Sequence, residues 1–92
     1  MTFSDHTRAT LQAAHRHSSN HRNELERSEI CGCFCCCRTF TVAAVEVWVD
    51  EDGTAICPYC SVDSVLGSAS GYPVSEQHFL RAMHALWFEN ET

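Results

Sequence analysis

The sequence predicts a small α+β domain organised around clustered cysteines, and three observations carry that prediction. The chain has 92 residues, enough for one domain and too few for a second core. All seven cysteines fall in two knots, Cys31-Gly32-Cys33-Phe34-Cys35-Cys36-Cys37 and Cys57-Pro58-Tyr59-Cys60. Around these knots the hydrophobic pattern passes from a helical period to a strand period and back to a helical one. The expected layout is one domain over 1–92: an N-terminal helical segment (1–30), a cysteine core (31–67), and a loop with a C-terminal helix (68–92).

In the first segment Leu11, Ala14 and Leu25 share one face of a 3.6-residue period, and Ala9, Gln12, Ala13 and Glu24 favour helix. A helix is predicted over most of Thr7 to Arg27, weakened near Ser19 by Ser18-Ser19-Asn20. His17 and His21 are four apart, a spacing that zinc helices use, but no H-E-x-x-H pattern accompanies them, and they are assigned to a solvated polar face. From Arg38 the composition turns β-branched and aromatic, and Val45, Val47 and Val49 alternate with Glu46, Trp48 and Asp50 as in a half-buried strand. Asp50-Glu51-Asp52-Gly53 supplies a turn, with positive φ expected at Gly53, and Thr54-Ala55-Ile56 returns as the second arm of a hairpin into Cys57.

Ser61 to Leu66 is assigned to a short helix stopped by Gly67, and 67–73 to a crossover loop. Ser75 is a good N-cap for a last helix running to about Phe88. There Phe79, Met83 and Leu86 fall at i, i+4, i+7, and Leu80, Met83 and Trp87 at i, i+3, i+7. That broad apolar face is expected to pack over the hairpin. Trp87 and Phe88 at its end are the candidate partner-binding anchors, since aromatic residues dominate interface energetics.

At this size a chain buries only roughly 60 to 65% of its unfolded surface, so small domains commonly add a metal, disulfides or a partner. The odd cysteine count and a first ten residues without an apolar run speak against a secreted disulfide scaffold, and no stretch reaches the about 18 apolar residues of a membrane span. A reduced, cytoplasmic setting is expected, in which paired C-x-x-C motifs bind metal. The formal charge is −6, from six Lys+Arg against twelve Asp+Glu, which disfavours a nucleic-acid partner.

Within the first knot only Cys33 and Cys36 are separated by two residues; Cys57 and Cys60 form the second such pair, with 37–56 between them. That spacing fits a structural site of the form C-x₂-C-x₁₅₋₂₀-C-x₂-C, four thiolates around one Zn²⁺. Cys31, Cys35 and Cys37 are left over. Four thiolates also suit iron, so a rubredoxin-like electron carrier is the alternative. Cys57-Pro58-Tyr59-Cys60 shares its letters with the active site of glutaredoxins, but 61–92 is too short for the strands and helices which that fold needs. Asp63 and Ser64 are the only polar pair suggested for catalysis, and no acid, base and nucleophile can be assembled around them.

The run from Trp48 to Gly67, preceded by Cys31-Gly32-Cys33 and followed by Ser70-Gly71-Tyr72-Pro73 and Trp87-Phe88, resembles a family of short bacterial cytoplasmic proteins with no assigned activity. The resemblance covers most of residues 10–88. It implies a cytoplasmic, metal-binding domain and no mechanism. Cys35 and Cys37 depart from the family pattern, which marks them as spare. More broadly, a knuckle, a hairpin and a helix that supplies the second pair resemble a treble clef; a zinc ribbon, with a strand after Cys60, is the close alternative. The expected function is a non-catalytic zinc-stabilised module that binds a protein partner or itself, ahead of a nucleic-acid-binding zinc finger and the iron carrier.

Overall fold

A computed structural model of the chain describes residues 7–89. Helix α1 (Arg8–His15) leads through a 3₁₀ turn (Arg16–Ser18) into α2 (Arg22–Glu26). Strands β1 (Cys31–Cys33), β2 (Thr39–Phe40), β3 (Trp48–Val49), β4 (Thr54–Ala55) and β5 (Val65–Gly67) follow, and α3 (Gln77–Phe88) closes the order. β1 is the centre of a three-stranded antiparallel sheet, with Cys31 opposite both Phe40 of β2 and Gly67 of β5. β3 and β4 form a separate hairpin.

The Thr7 side chain accepts from the Thr10 amide at 3.3 Å and so caps α1. The predicted helix over 7–27 is present and breaks where the serines dilute it. Asn20 there takes φ 49, a left-handed conformation that asparagine tolerates, and its amide donates to Thr54 Oγ1 at 2.8 Å. Leu11, Ala14 and Leu25 are all buried, but the break ends their shared face: Leu11 and Ala14 of α1 enter one core and Leu25 of α2 the other.

Successive strand residues point to opposite faces, so the central sheet separates two cores. On one side Cys31, Cys33 and Val65 meet Leu25, Phe40, Val45, Ala55 and Cys57. On the other, Leu66 meets Leu11 and Ala14 of α1 and Phe79, Leu80 and Met83 of α3. Gly32 faces this second core, where a Cβ would run into the Val74 carbonyl oxygen and stand 3.2 Å from Leu80 Cδ2. A backbone carbonyl cannot rotate out of the way. Gly32→Ala is therefore expected to cost about 1–3 kcal/mol, read as a thermal midpoint lower by roughly 4–8 °C per kcal/mol.

Four expectations need correction. Residues 61–66 form no helix: Ser61 takes φ 67, and Val65–Gly67 is a strand on β1. Gly67 is suited to pairing there because a Cβ would strike Ser28 Oγ and lie 2.7 Å from Leu25 Cδ2. The valine alternation also faces the other way from its prediction beyond Val45: Val45 is buried, but Val47 is 54% exposed, and the half-buried residue is Trp48, capped by the Arg22 guanidinium 4.4 Å from its ring. The positive φ values of the turn sit at Asp50, Glu51 and Asp52 (55, 60 and 68) and not at Gly53. Gly53 matters through its carbonyl, which accepts from the amides of His21 and Arg22 at 2.7 and 3.0 Å. Finally, α3 starts at Gln77 and packs on α1 and β1, not over the β3–β4 hairpin.

Candidate metal centre

The two cysteine knots fold into the same loop. In each, the amide of the first cysteine donates to the carbonyl five residues on: Cys33 to Arg38 at 2.9 Å, Cys57 to Val62 at 3.0 Å. The amide four residues on returns to the first cysteine's carbonyl, Cys37 to Cys33 at 2.8 Å and Ser61 to Cys57 at 3.0 Å. Closing the loop this tightly puts the residue after the second cysteine in the left-handed region, φ 62 at Cys37 and 67 at Ser61. The amides inside each loop then point inward: those of Cys35 and Tyr59 lie 3.3 Å from the sulfurs of Cys33 and Cys57. Successive inward amides form a concavity that favours negative charge, and this is what a thiolate needs.

The loops face each other and bring Cys33, Cys36, Cys57 and Cys60 together, all four Sγ atoms within 4.8 Å of one another. Across the gap, Cys33 stands 3.6 Å from Cys60 and Cys36 stands 3.7 Å from Cys57. A tetrahedral ion with metal–sulfur bonds of about 2.3 Å has sulfur–sulfur edges of about 3.8 Å. The two cross-loop distances match that edge. Cys33 and Cys57 form the buried side of the group, Cys36 and Cys60 the half-exposed side.

Electrostatics within the group explain why it calls for a cation. Burial opposes ionisation of Cys33, but the Ser64 hydroxyl and the amides of Cys36 and Cys35 outweigh it, so this thiol sits below the ordinary value. Cys36 is pushed up to about 11, first by burial and then by the Cys33 charge, against the helping Arg38 amide. Cys60 is pushed up likewise, by burial first and by Cys33 in support. One ionised sulfur thus suppresses its neighbours, because like charges a few ångströms apart repel. A divalent cation reverses that balance and allows all four to ionise.

Ser64 is buried and its Oγ lies 3.0 Å from Cys33 Sγ, while its carbonyl accepts from the Phe34 amide at 3.0 Å. It therefore ties β5 to the first loop and supports the most buried ligand. The sequence offered it with Asp63 as the only polar pair suggested for catalysis; Asp63 is exposed, and the Ser64 hydroxyl lies against the sulfur. The available signal was its place, a lone hydroxyl opening the apolar run Val65-Leu66. Ser64→Ala is expected to lower metal affinity by about 10–100-fold, measured by competition with a chelator, as loss of a hydrogen bond to a ligand typically does.

The remaining cysteines stand apart from the tetrad. Cys31 is buried in β1, where burial pushes its thiol up to about 11 and makes it inert. Cys35 and Cys37 are half-buried on the first loop, and the Cys37 carbonyl accepts from Gln77 Nε2 at 2.9 Å, fastening the start of α3 to the knot. The histidine pair forms no second site. His17 Nδ1 lies 3.0 Å from Glu24, and His21, only 4% exposed, is not on a solvated face: its Nδ1–H donates to the His17 carbonyl at 2.6 Å, and its Nε2 accepts from the Ala55 amide at 3.0 Å. Trp87 and Phe88 pack on the chain itself, Trp87 against His15 with ring centroids 4.0 Å apart and Phe88 against Phe34 and His84, and they remain 38% and 43% exposed.

Comparison of the chain with protein-family models, curated proteins and solved structures finds no match. The family resemblance read from the sequence gains no support from them, and the four-cysteine cluster stands on its geometry alone. Among the described residues no helix is long and apolar enough to cross a membrane.

Proposed function

We propose that this chain is a non-catalytic domain stabilised by one Zn²⁺ on Cys33, Cys36, Cys57 and Cys60, and that it acts by presenting its surface to a protein partner or a second copy. The observation that carries the metal assignment is the convergence of four sulfurs within 4.8 Å, two of their distances at a tetrahedral edge, inside two amide-lined loops. Zinc suits it because four thiolates complete its coordination, leaving no position for substrate or water. The strand that follows Cys60 favours a zinc-ribbon arrangement over a treble clef. A reducing compartment such as the cytoplasm fits ligands that act as thiolates.

The partner reading rests on exposed aromatic surface: Trp87 and Phe88 at the end of α3 and Tyr59, 54% exposed, in the second knot. A nucleic-acid partner ranks lower, since the charge is −6 and Arg22 and Arg38 lie over the rings of Trp48 and Tyr59. One observation favours an iron electron carrier as the second reading: the half-exposed side of the cluster, Cys36 and Cys60, would give an electron a short path to solvent. Native mass spectrometry of the purified protein decides between them. One zinc per colourless chain supports the first reading; a red protein with thiolate-to-iron absorption establishes the second, and a mass free of metal removes both.

A further inference from the structure

A second site is suggested on the helical side of the domain, away from the cysteines. The 3₁₀ turn, the break at 19–21 and α2 enclose an open cavity of about 290 Å³ lined by Arg16, His17, Asn20, Asn23, Glu24 and Arg27 among others. That volume lies at the small end of ligand pockets, which run from about 300 Å³ upward. Its walls are almost wholly polar side chains, and its floor is fixed by backbone bonds: buried His21 bridges the His17 carbonyl and the Ala55 amide, and the Asn20 amide is held by Thr54. The floor of the cavity is thus fixed by the fold.

Its charge is opposite to that of the protein. Two of the six arginines of an acidic chain meet here. Arg22 is committed to Glu26 and Trp48, and Arg38 to Tyr59. Arg27, by contrast, makes one long contact to the Asn23 carbonyl at 3.4 Å, and the Arg16 side chain has no hydrogen-bond, ion-pair or ring partner among the described residues. The one carboxylate in the lining, Glu24, is engaged by His17 at 3.0 and 3.1 Å. Two arginines with donors to spare line the cavity together with Asn20 and Asn23, a donor set that matches an oxyanion able to accept several hydrogen bonds at once.

We infer that this cavity binds a phosphate dianion, free or as the terminal group of a small phosphomonoester. Phosphate fits better than a monocarboxylate because its oxygens project in several directions and its second charge answers both arginines. The site is open to solvent, so binding is weak and reversible.

The test is an amide NMR titration of the full metal-loaded chain at constant ionic strength with inorganic phosphate, glycerol phosphate and acetate. Saturable shifts centred on residues 16–27 are expected for both phosphates and about tenfold weaker ones for acetate; tighter binding of glycerol phosphate assigns the ester, equal binding the free ion. Arg16→Gln and Arg27→Gln should each weaken phosphate about tenfold, Arg22→Gln should leave it unchanged, and Glu24→Gln should strengthen it severalfold. All these side chains reach the surface, so the fold survives the substitutions and its spectrum reports that directly. Shifts that do not saturate, that persist in the Arg16→Gln/Arg27→Gln double variant, or that need an oligonucleotide would overturn the site.

Discussion

Replacing Cys57 by serine is expected to remove the bound metal and with it the folded state. Cys57 is buried, its sulfur takes the Tyr59 amide at 3.3 Å, and it faces Cys36 at 3.7 Å, so no water can take over its corner. A structural Zn²⁺ contributes an apparent roughly 10–16 kcal/mol at neutral pH, against a net stability of about 5–15 kcal/mol for a whole domain. Loss of the ion therefore outweighs the margin. Cys33→Ser should behave the same way, and Cys36→Ser and Cys60→Ser less severely, because their half-exposed corners admit water as a substitute ligand. Cys35→Ser and Cys37→Ser should keep one metal per chain. Thermal melts paired with native mass measurement check the set, and a Cys57→Ser protein with full metal and an unshifted midpoint would sink the tetrad.

The same site sets a pH dependence of metal affinity with a definite sign. Without metal, burial and the Cys33 charge push Cys36 up to about 11 and raise Cys60 as well, so at neutral pH both must lose a proton when the ion binds. Affinity then falls as pH falls. Cys33, held low by Ser64 and the loop amides, ionises more readily than Cys36 or Cys60 and is the readiest of the three for the ion.

The tetrad was legible because ligand spacing is a covalent constraint: only Cys33/Cys36 and Cys57/Cys60 have two residues between them, whatever the fold does around them. α1 and α3 were legible because Leu11 and Ala14, and Phe79, Leu80 and Met83, fall at helical spacing, whereas Leu25 belongs to the separate helix α2 and the other core. The central sheet was not. Its strands are two or three residues long, and β1 consists of Cys31, Gly32 and Cys33, none of them a residue that favours strands, all buried and so without alternation. What holds β1 in place is long-range, namely the β5 register and the close approach of the Val74 backbone to Gly32. Ser61 to Leu66 misled in the opposite direction: Val62, Val65 and Leu66 suit a helix turn by spacing, but the loop closure at Cys57 spends Ser61 in a left-handed conformation and turns the chain into β5. Trp48 shows the same limit, for its shelter is the guanidinium of Arg22, twenty-six positions earlier.

His21 was read from the sequence as part of a solvated face but is buried, and its removal is the second large effect expected. The ring joins two distant parts of the chain, with Nδ1–H on the His17 carbonyl and Nε2 on the Ala55 amide, which fixes its tautomer as the neutral Nδ1–H form. His21→Ala leaves a buried amide and a carbonyl without partners and opens a cavity between α2 and β4. Each unpaired group costs about 1–3 kcal/mol, so a total on the order of 3–5 kcal/mol is expected in denaturant unfolding. His21→Phe separates the causes, since it restores most of the volume and none of the hydrogen bonds. A pH signature tests the tautomer independently. Burial holds the imidazole below its ordinary 6.5, over the opposing pull of the His17 carbonyl and Glu24, so the unfolded chain binds the proton more readily than the folded one. The stability that His21 contributes is then complete above pH 6.5 and declines as pH falls below it, towards the lower folded value. Measured with excess metal ion, the stability gap between the wild-type protein and His21→Phe should narrow from pH 8 to pH 5.5. A gap that widens on acidification would mean that the ring is held as the cation, and that the Ala55 amide does not donate to it.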